Sequence, residues 1–158
     1  MPSQSFRRIL ELLEQHGVAY VVVGGVAAVL QGAPVTTFDI DTLVKVDAEN
    51  ADRLLAALEA LQARYREHTQ EIRPTRDDIL AGGHLLLMTS SGPLDVLGFI
   101  GRGKRYDDVA KDVTTIDVGG LQIRVLNLRA LIEDKRVLGR EKDQVMLRLL
   151  EAVLRRQT

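Results

Sequence analysis

The chain has 158 residues and a formal net charge of −1, which suits one compact domain that buries its own core. The absence of cysteine excludes disulfides, thiolate metal sites and a cysteine nucleophile, and three scattered histidines offer no His-based metal site. Charge is uneven, since residues 1–100 hold 13 acidic and 8 basic residues and residues 101–158 hold 9 and 13. This division fits an acidic, metal-holding half beside a basic, phosphate-facing half, or a chance distribution over one solvated surface.

Two apolar stretches were candidates for targeting or membrane segments. Glu11 and Glu14 interrupt the first, which breaks a signal-peptide core. The longest, residues 18–30, is shorter than the roughly 20 residues of a membrane helix and contains Gly24-Gly25. We therefore expect a cytoplasmic protein with no membrane contact.

The N-terminal part predicts the order helix, strand, short helix, strand. Apolar residues spaced three and four apart predict a helix that Ser5 caps and that ends before Gly17. Residues 18–23 form a continuous β-branched run, typical of a buried central strand. A short helix over residues 26–31 and a strand over residues 38–46 should follow.

The remaining elements are predicted from caps, periodicity and glycine pairs. Residues 65–83 are polar and aperiodic, which predicts a loop with at most one short strand. The other expected elements are a helix capped by Asp47, hairpins over residues 85–100 and 114–126, a helix from Asn127 to Leu138, and a last helix after Gly139. Together they predict one α+β domain over residues 1–158, with a mixed β-sheet flanked by helices and helices at the C-terminus.

Asp39 and Asp41 are the most informative acidic residues. A buried strand does not accommodate unpaired charges at alternate positions without cost. The period of two places both carboxylates on one face, with Cβ atoms about 6.5–7 Å apart, where they could hold one or two Mg²⁺ ions. The same Asp-x-Asp pattern also occurs on plain exposed strands and in metal-dependent glycosyltransferases.

Gly24 and Gly25 strengthen the case that the Asp39–Asp41 pair is functional. Two glycines between a buried strand and a helix let phosphate oxygens approach bare backbone N–H groups. A tight strand-to-helix turn would use the same glycines. Glycines followed by a strand with paired carboxylates form an arrangement suited to a metal-bound triphosphate.

The segment VVVGGVAAVLQGAPVTTFDIDTLV, residues 21–44, resembles the signature of the nucleotidyltransferase superfamily that includes DNA polymerase beta. Within it, the chain is most similar to small AbiEii-type toxins and minimal nucleotidyltransferases of bacteria. Besides Gly24-Gly25, the residues that carry this resemblance are Thr37, Lys135 and the segment Gly139-Arg140-Glu141-Lys142-Asp143.

The resemblance implies a fold, a reaction and a set of site residues. Asp39, Asp41 and Asp95 would hold two Mg²⁺ ions, and Asp95 would also help to deprotonate an acceptor hydroxyl. The hydroxyl would attack the α-phosphorus of an NTP and expel pyrophosphate. The implied nucleotide-binding residues are Gly24, Gly25, Thr37, Lys135, Arg140 and Lys142, with Asp143 orienting a neighbouring cation.

The acceptor and the biological role are less determined. We expect a nucleic acid, such as a tRNA end, or a protein as acceptor rather than a small antibiotic, and a toxin-like role with a cognate antitoxin is implied by the family alone. Val35 stands where small relatives usually have Arg, and Arg102, Lys104 or Arg105 could replace it. That departure leaves open a catalytically silent binding or antitoxin module as the alternative; a glycosyltransferase is disfavoured by chain length.

Overall fold

A computed structural model describes residues 4–37 and 39–157. Its centre is a seven-stranded mixed sheet with the order β3-β4-β5-β2-β1-β7-β6. The strands are β1 Tyr20–Val23, β2 Ile40–Val44, β3 Arg64–Tyr65, β4 His84–Thr89, β5 Gly92–Leu97, β6 Val113–Val118 and β7 Leu121–Leu126.

Helices pack on the sheet in two contacting groups. One group contains α1 (Gln4–Gln15), α3 (Ala48–Ala60) and α4 (Arg76–Leu80), and the other contains α2 (Gly24–Leu30), α5 (Leu128–Leu138) and α6 (Gln144–Gln157). Short 3₁₀ helices span Tyr106–Asp112 and Glu141–Asp143. The core is mostly apolar, and all four residues of β1 are buried, which confirms β1 as a central strand.

The sheet register brings the acidic strands together. β2 runs antiparallel to β1 and parallel to β5. Asp41 therefore lies opposite Val23 at the end of β1 on one side and opposite Asp95 on the other. A parallel β2–β5 pair requires a long crossover, here the 47 residues between Val44 and Gly92.

The α+β class with a mixed sheet, flanking helices and C-terminal helices is confirmed. Asp47 and Asn127 cap α3 and α5 as predicted, and both hairpins form. Gly139 ends α5 with a φ of +60°. The prediction that Ser5 caps α1 is wrong, because the helix already includes Gln4 and Ser5 lies within its first turn and not before it.

Three boundaries or elements differ from prediction. α2 begins at Gly24, two residues before the predicted start at Val26, and β2 begins at Ile40. Phe38, the predicted start of that strand, lies outside the described residues. The loop predicted over residues 65–83 contains α4, which Thr75 and Asp78 begin through a reciprocal capping box.

Over residues 4–37 and 39–157, no helix is both long enough and apolar enough to cross a lipid bilayer.

Candidate active site

The acidic half of the site is built on the neighbouring strands β2 and β5. Asp41 and Asp95 occupy paired positions, where their carboxyl groups are close enough to share a hydrogen bond when one of them is protonated. Burial, followed by the hydrogen bond with Asp95 and the negative charges of Asp95 and Asp39, together raises the pKa of Asp41 to about 7, against the opposing charge of Arg66. The two carboxylates therefore have more negative charge than their surroundings neutralise.

The two glycines allow this cluster to pack closely. Gly24 has a φ of +66°, and a Cβ at this position would collide with Oδ2 of Asp41. A Cβ on Gly25 would lie 2.9 Å from Oγ1 of Thr37, whose hydroxyl donates to the backbone oxygen of Asp39 at 3.2 Å. Because they lack a Cβ, the two glycines allow α2 to lie directly against Asp41 and Thr37.

Arg66 follows β3 and joins the acidic residues. Its Nη2 donates to Oδ1 of Asp95 at 2.5 Å, and its Nη1 lies 3.6 Å from Oδ1 of Asp39. The Arg66 side chain is 19% exposed and that of Asp39 is 44% exposed. Arg66 thereby connects two carboxylates that were expected to bind metal.

The chemistry of the donor set decides how well it fits Mg²⁺. In the described part of the chain, no three acidic, histidine or cysteine side chains converge closely enough to hold a metal ion. Asp41 and Asp95 do converge, and Mg²⁺ in proteins commonly binds one or two carboxylates together with substrate phosphates and water. This pair fits one such ion, although Arg66 contacts Asp95 at 2.5 Å, more closely than it contacts Asp39 at 3.6 Å.

The basic half of the site surrounds the buried carboxylate of Asp143. Lys135 Nζ lies 3.1 Å from one oxygen of Asp143, and Arg140 Nε lies 2.5 Å from the other. Burial works against ionisation, but the hydrogen bonds from Arg140 and Lys135 hold the pKa of Asp143 below its usual value. The geometry agrees with Asp143 as the residue that orients these cations; the side chain of Lys142 lies outside the described part.

A cavity of about 280 Å³ connects the two halves. Asp41 and Gly24 line one side, and Lys135 and Arg140 line another. Apolar side chains of β5, the segment after it, β7 and α5 form most of the remaining wall: Leu97, Phe99, Ile100, Leu126, Leu131 and Leu138. Of the nine predicted site residues, the structure brings four to this cavity, while Asp39, Asp95, Gly25 and Thr37 lie beside it through their contacts with Asp41, Gly24 and one another.

Sequence reasoning missed Arg66 and Asp134. Arg66 lies in the polar stretch without periodicity that predicted a loop. Asp134 lines the cavity from α5 and pairs with Lys104 at 3.5 Å; burial raises its pKa against the charge of Lys104. An acidic residue one position before Lys135 was the available signal.

The basic residues considered as replacements at Val35 have other contacts. Arg102 donates to the backbone oxygen of Val137 at 2.9 Å and Lys104 pairs with Asp134, whereas the contact of Arg105 with Asp108 is made by its backbone N–H and not by its guanidinium. Arg66 is the guanidinium that contacts the acidic cluster.

Several solved structures have a fold similar to that of this chain. The lincosamide antibiotic adenylyltransferase LnuA, solved with lincomycin, has a TM-score of 0.66 at 15% identity, covering 97% of this chain and 98% of its own. The antibiotic-resistance factor ANT(2″)-Ia has a TM-score of 0.64 at 17% identity over 96% and 83%. A Thermotoga maritima protein assigned as a nucleotidyltransferase has a TM-score of 0.60 at 21% identity over 92% and 89%.

Fold and family match together define a nucleotidyltransferase enzyme. The sequence profile of the aminoglycoside-2″-adenylyltransferase family matches residues 5–130, which is most of the chain, and the chain belongs to that family. No curated protein sequence matches significantly. The superfamily resemblance is confirmed, while the particular likeness to AbiEii-type toxins stays a prediction.

Proposed function

We propose that this enzyme transfers a nucleoside monophosphate from an NTP to an acceptor hydroxyl and releases pyrophosphate. The observation that carries the proposal is the single cavity with Asp41 on one side and Lys135 and Arg140 on the other. A metal–triphosphate has both charges, so it complements both sides of such a cavity. Family membership supports the same reaction.

Magnesium is the cation that suits the acidic side. Asp41 and Asp95 would hold it, and when bound it would neutralise charge on the phosphoryl oxygens. The family resemblance implies two ions held by Asp39, Asp41 and Asp95. The convergence of Asp41 and Asp95 supports one ion at that pair, where it would compete with Arg66 for Asp95.

The chain's own residues account for the other parts of the transfer step. Lys135 and Arg140, held in place by Asp143, bind the triphosphate. The acceptor oxygen bonds to the α-phosphorus as the bond to the β-phosphate oxygen breaks, and the acceptor proton passes to the Asp95 carboxylate. The backbone N–H groups of Gly24 and Gly25, at the start of α2, provide further hydrogen-bond donors to the phosphates.

Two acceptor classes have separate support. The basic C-terminal half of the sequence favours a nucleic-acid end as the acceptor, and a protein hydroxyl is the second acceptor predicted from the sequence. A toxin-like role, a cognate antitoxin and a cytoplasmic location remain predictions from the family resemblance and the sequence. A small hydroxyl compound is favoured by the family, and by the half-buried Asp134 in the cavity wall, which could bind an amine.

A labelling experiment tests the reaction and separates these acceptors. Each α-³²P-NTP is incubated with Mg²⁺ and, in turn, with tRNA, a protein extract, an aminoglycoside and a lincosamide. We expect label in one acceptor fraction with equal release of pyrophosphate, and none with Asp41→Asn. An intact fold that neither binds an NTP nor releases pyrophosphate with any acceptor would contradict the proposal.

A further inference from the structure

We propose that Arg66 is a built-in counter-ion that couples metal binding to nucleotide binding. Without ligands, its guanidinium holds Asp39 and Asp95; when a divalent cation and an NTP bind together, it leaves Asp95 and pairs with the anionic nucleotide. This inference rests on the proposed function, since it assumes that the Asp41–Asp95 pair binds the cation.

The contacts of Arg66 place it in competition with a cation. Asp95 has a side-chain exposure of 15%, and its Oδ1 accepts from Nη2 of Arg66 at 2.5 Å. A charge-assisted bond of this kind, shielded from water, is stronger than an exposed ion pair. A divalent ion that binds Asp95 must therefore displace this bond or tolerate a guanidinium charge beside it.

The backbone around Arg66 is held firmly, so the displacement involves the side chain. The backbone N–H of Arg66 donates to the oxygen of Leu86 in β4 at 3.0 Å. On the preceding residue, the Tyr65 hydroxyl donates to Asp78 at 2.7 Å, and the Tyr65 N–H donates to the oxygen of Ile72 at 2.9 Å. A long arginine side chain on such a fixed stem can exchange one anionic partner for another.

The local charge explains why the exchange depends on nucleotide. The three carboxylates attract a divalent ion, but the guanidinium of Arg66 repels the ion and occupies Asp95, one of its ligands. A triphosphate supplies new oxygens for Arg66 and further ligands for the metal. Arg66 should therefore weaken metal binding alone and strengthen the effect of nucleotide on it, which is a coupling free energy between two ligands.

Mn²⁺ binding to the whole chain, followed by the EPR signal of the free ion, measures this coupling. The affinity is determined with and without a non-hydrolysable NTP analogue for the wild type, Arg66→Gln and Arg66→Lys. Arg64→Gln is the matched control, because Arg64 is an exposed arginine two residues earlier in the same chain segment. A melting curve of each variant checks that it is folded.

We expect Arg66→Gln to bind Mn²⁺ alone about 10-fold more tightly, equivalent to about 1.4 kcal/mol, and to lose most of the tightening caused by the nucleotide analogue. Arg66→Lys should fall between it and the wild type, and Arg64→Gln should remain within about 2-fold of the wild type. Equal gains in Arg64→Gln and Arg66→Gln would reduce the effect to general charge and overturn the inference.

Failure of the inference and failure of the proposed function give different results. If Asp41→Asn abolishes Mn²⁺ binding while Arg66→Gln leaves both the affinity and the nucleotide coupling unchanged, the metal site stands and the role of Arg66 is wrong. If Asp41→Asn binds Mn²⁺ as well as the wild type, with or without nucleotide, the proposed metal site itself is wrong.

Discussion

The acidic and basic halves of the cavity are built by opposite arrangements of charge. In the acidic half, Asp39 and Asp95 share Arg66, and Asp41 has a carboxylate neighbour in place of a cation. In the basic half, two cations, Lys135 and Arg140, share the single carboxylate of Asp143. Each half keeps an excess of one sign at the cavity.

The carboxylates of Asp143 and Asp41 differ in how far the surrounding protein neutralises their charge. The carboxylate of Asp143 is fully engaged, with a cation on each oxygen, so its charge stabilises the local structure. That of Asp41 is buried among like charges, so its ionisation is unfavourable until a cation arrives. Removing one negative charge should therefore have opposite consequences for stability in the two halves.

The largest expected effect is the loss of transfer in Asp41→Asn. This change keeps the shape of the side chain but removes the charge that binds the metal, and we expect kcat/KM to fall by about 10³-fold or more. A transfer assay under saturating Mg²⁺ measures it. Asp117→Asn, in the β6–β7 hairpin and remote from the cavity lining, is the control and should retain activity. A decrease in kcat/KM of less than about 10-fold would contradict the proposed role of Asp41 in metal binding.

The next effect is a pH-dependent gain in stability from the same substitution. Since the pKa of Asp41 is about 7 in the folded protein and near 3.8 when unfolded, the folded state retains its proton between these values. Its contribution to the free energy of unfolding is thus present at low pH and is lost as pH rises through 7. Asp41→Asn should match the wild type near pH 4.

At pH 8 without metal, Asp41→Asn should be more stable than the wild type by on the order of 2 kcal/mol. Urea unfolding of both proteins across this range provides the measurement, and the difference cancels the other titrating groups they share. If the stability of Asp41→Asn relative to the wild type instead falls between pH 4 and pH 8, the ionised carboxylate stabilises the fold and the prediction is wrong.

The basic half should respond in the opposite direction. Asp143→Asn leaves Lys135 and Arg140 without their common anion, and we expect a loss of about 1–3 kcal/mol at pH 7 together with weaker NTP binding. Urea unfolding and a nucleotide titration measure the two effects. Glu141→Gln removes the same charge from an exposed residue of the same 3₁₀ helix, so it should change neither by a comparable amount. A stabilised Asp143→Asn would end the contrast between the halves.

The sequence located much of the site because strong local signals carry it. Gly24-Gly25 after a β-branched run and the Asp-x-Asp strand identified one side of the cavity, and Asp95 was the one acid within an apolar run. Asn127 and Gly139 defined α5 through its cap and its left-handed end. These features depend on residues near one another in the chain.

Arg66 and α4 could not be found in the same way. β3 has two residues, and its pairing with β4 depends on tertiary contacts that leave no periodic pattern in the sequence. α4 has five residues and no long apolar stripe, although Thr75 and Asp78 were a capping-box signal that polar composition concealed. The residue that changes the charge balance of the site thus came from a segment without local signals.

The smallest expected effect concerns the contact that joins α2 to the acidic half. Gly24 and Gly17 both have a φ of +66°, but a Cβ on Gly24 would meet Asp41, whereas the nearest atom to one on Gly17 is Arg53 Cδ at 4.0 Å. Gly17→Ala therefore measures the left-handed backbone alone, at about 1–2 kcal/mol. Gly24→Ala adds displacement of the Asp41 carboxylate, so we expect about 1 kcal/mol more loss of stability and, unlike in Gly17→Ala, weaker Mn²⁺ binding. Equal losses with unchanged Mn²⁺ affinity would mean that Gly24 serves only the turn, and that the acidic half does not depend on the close approach of α2.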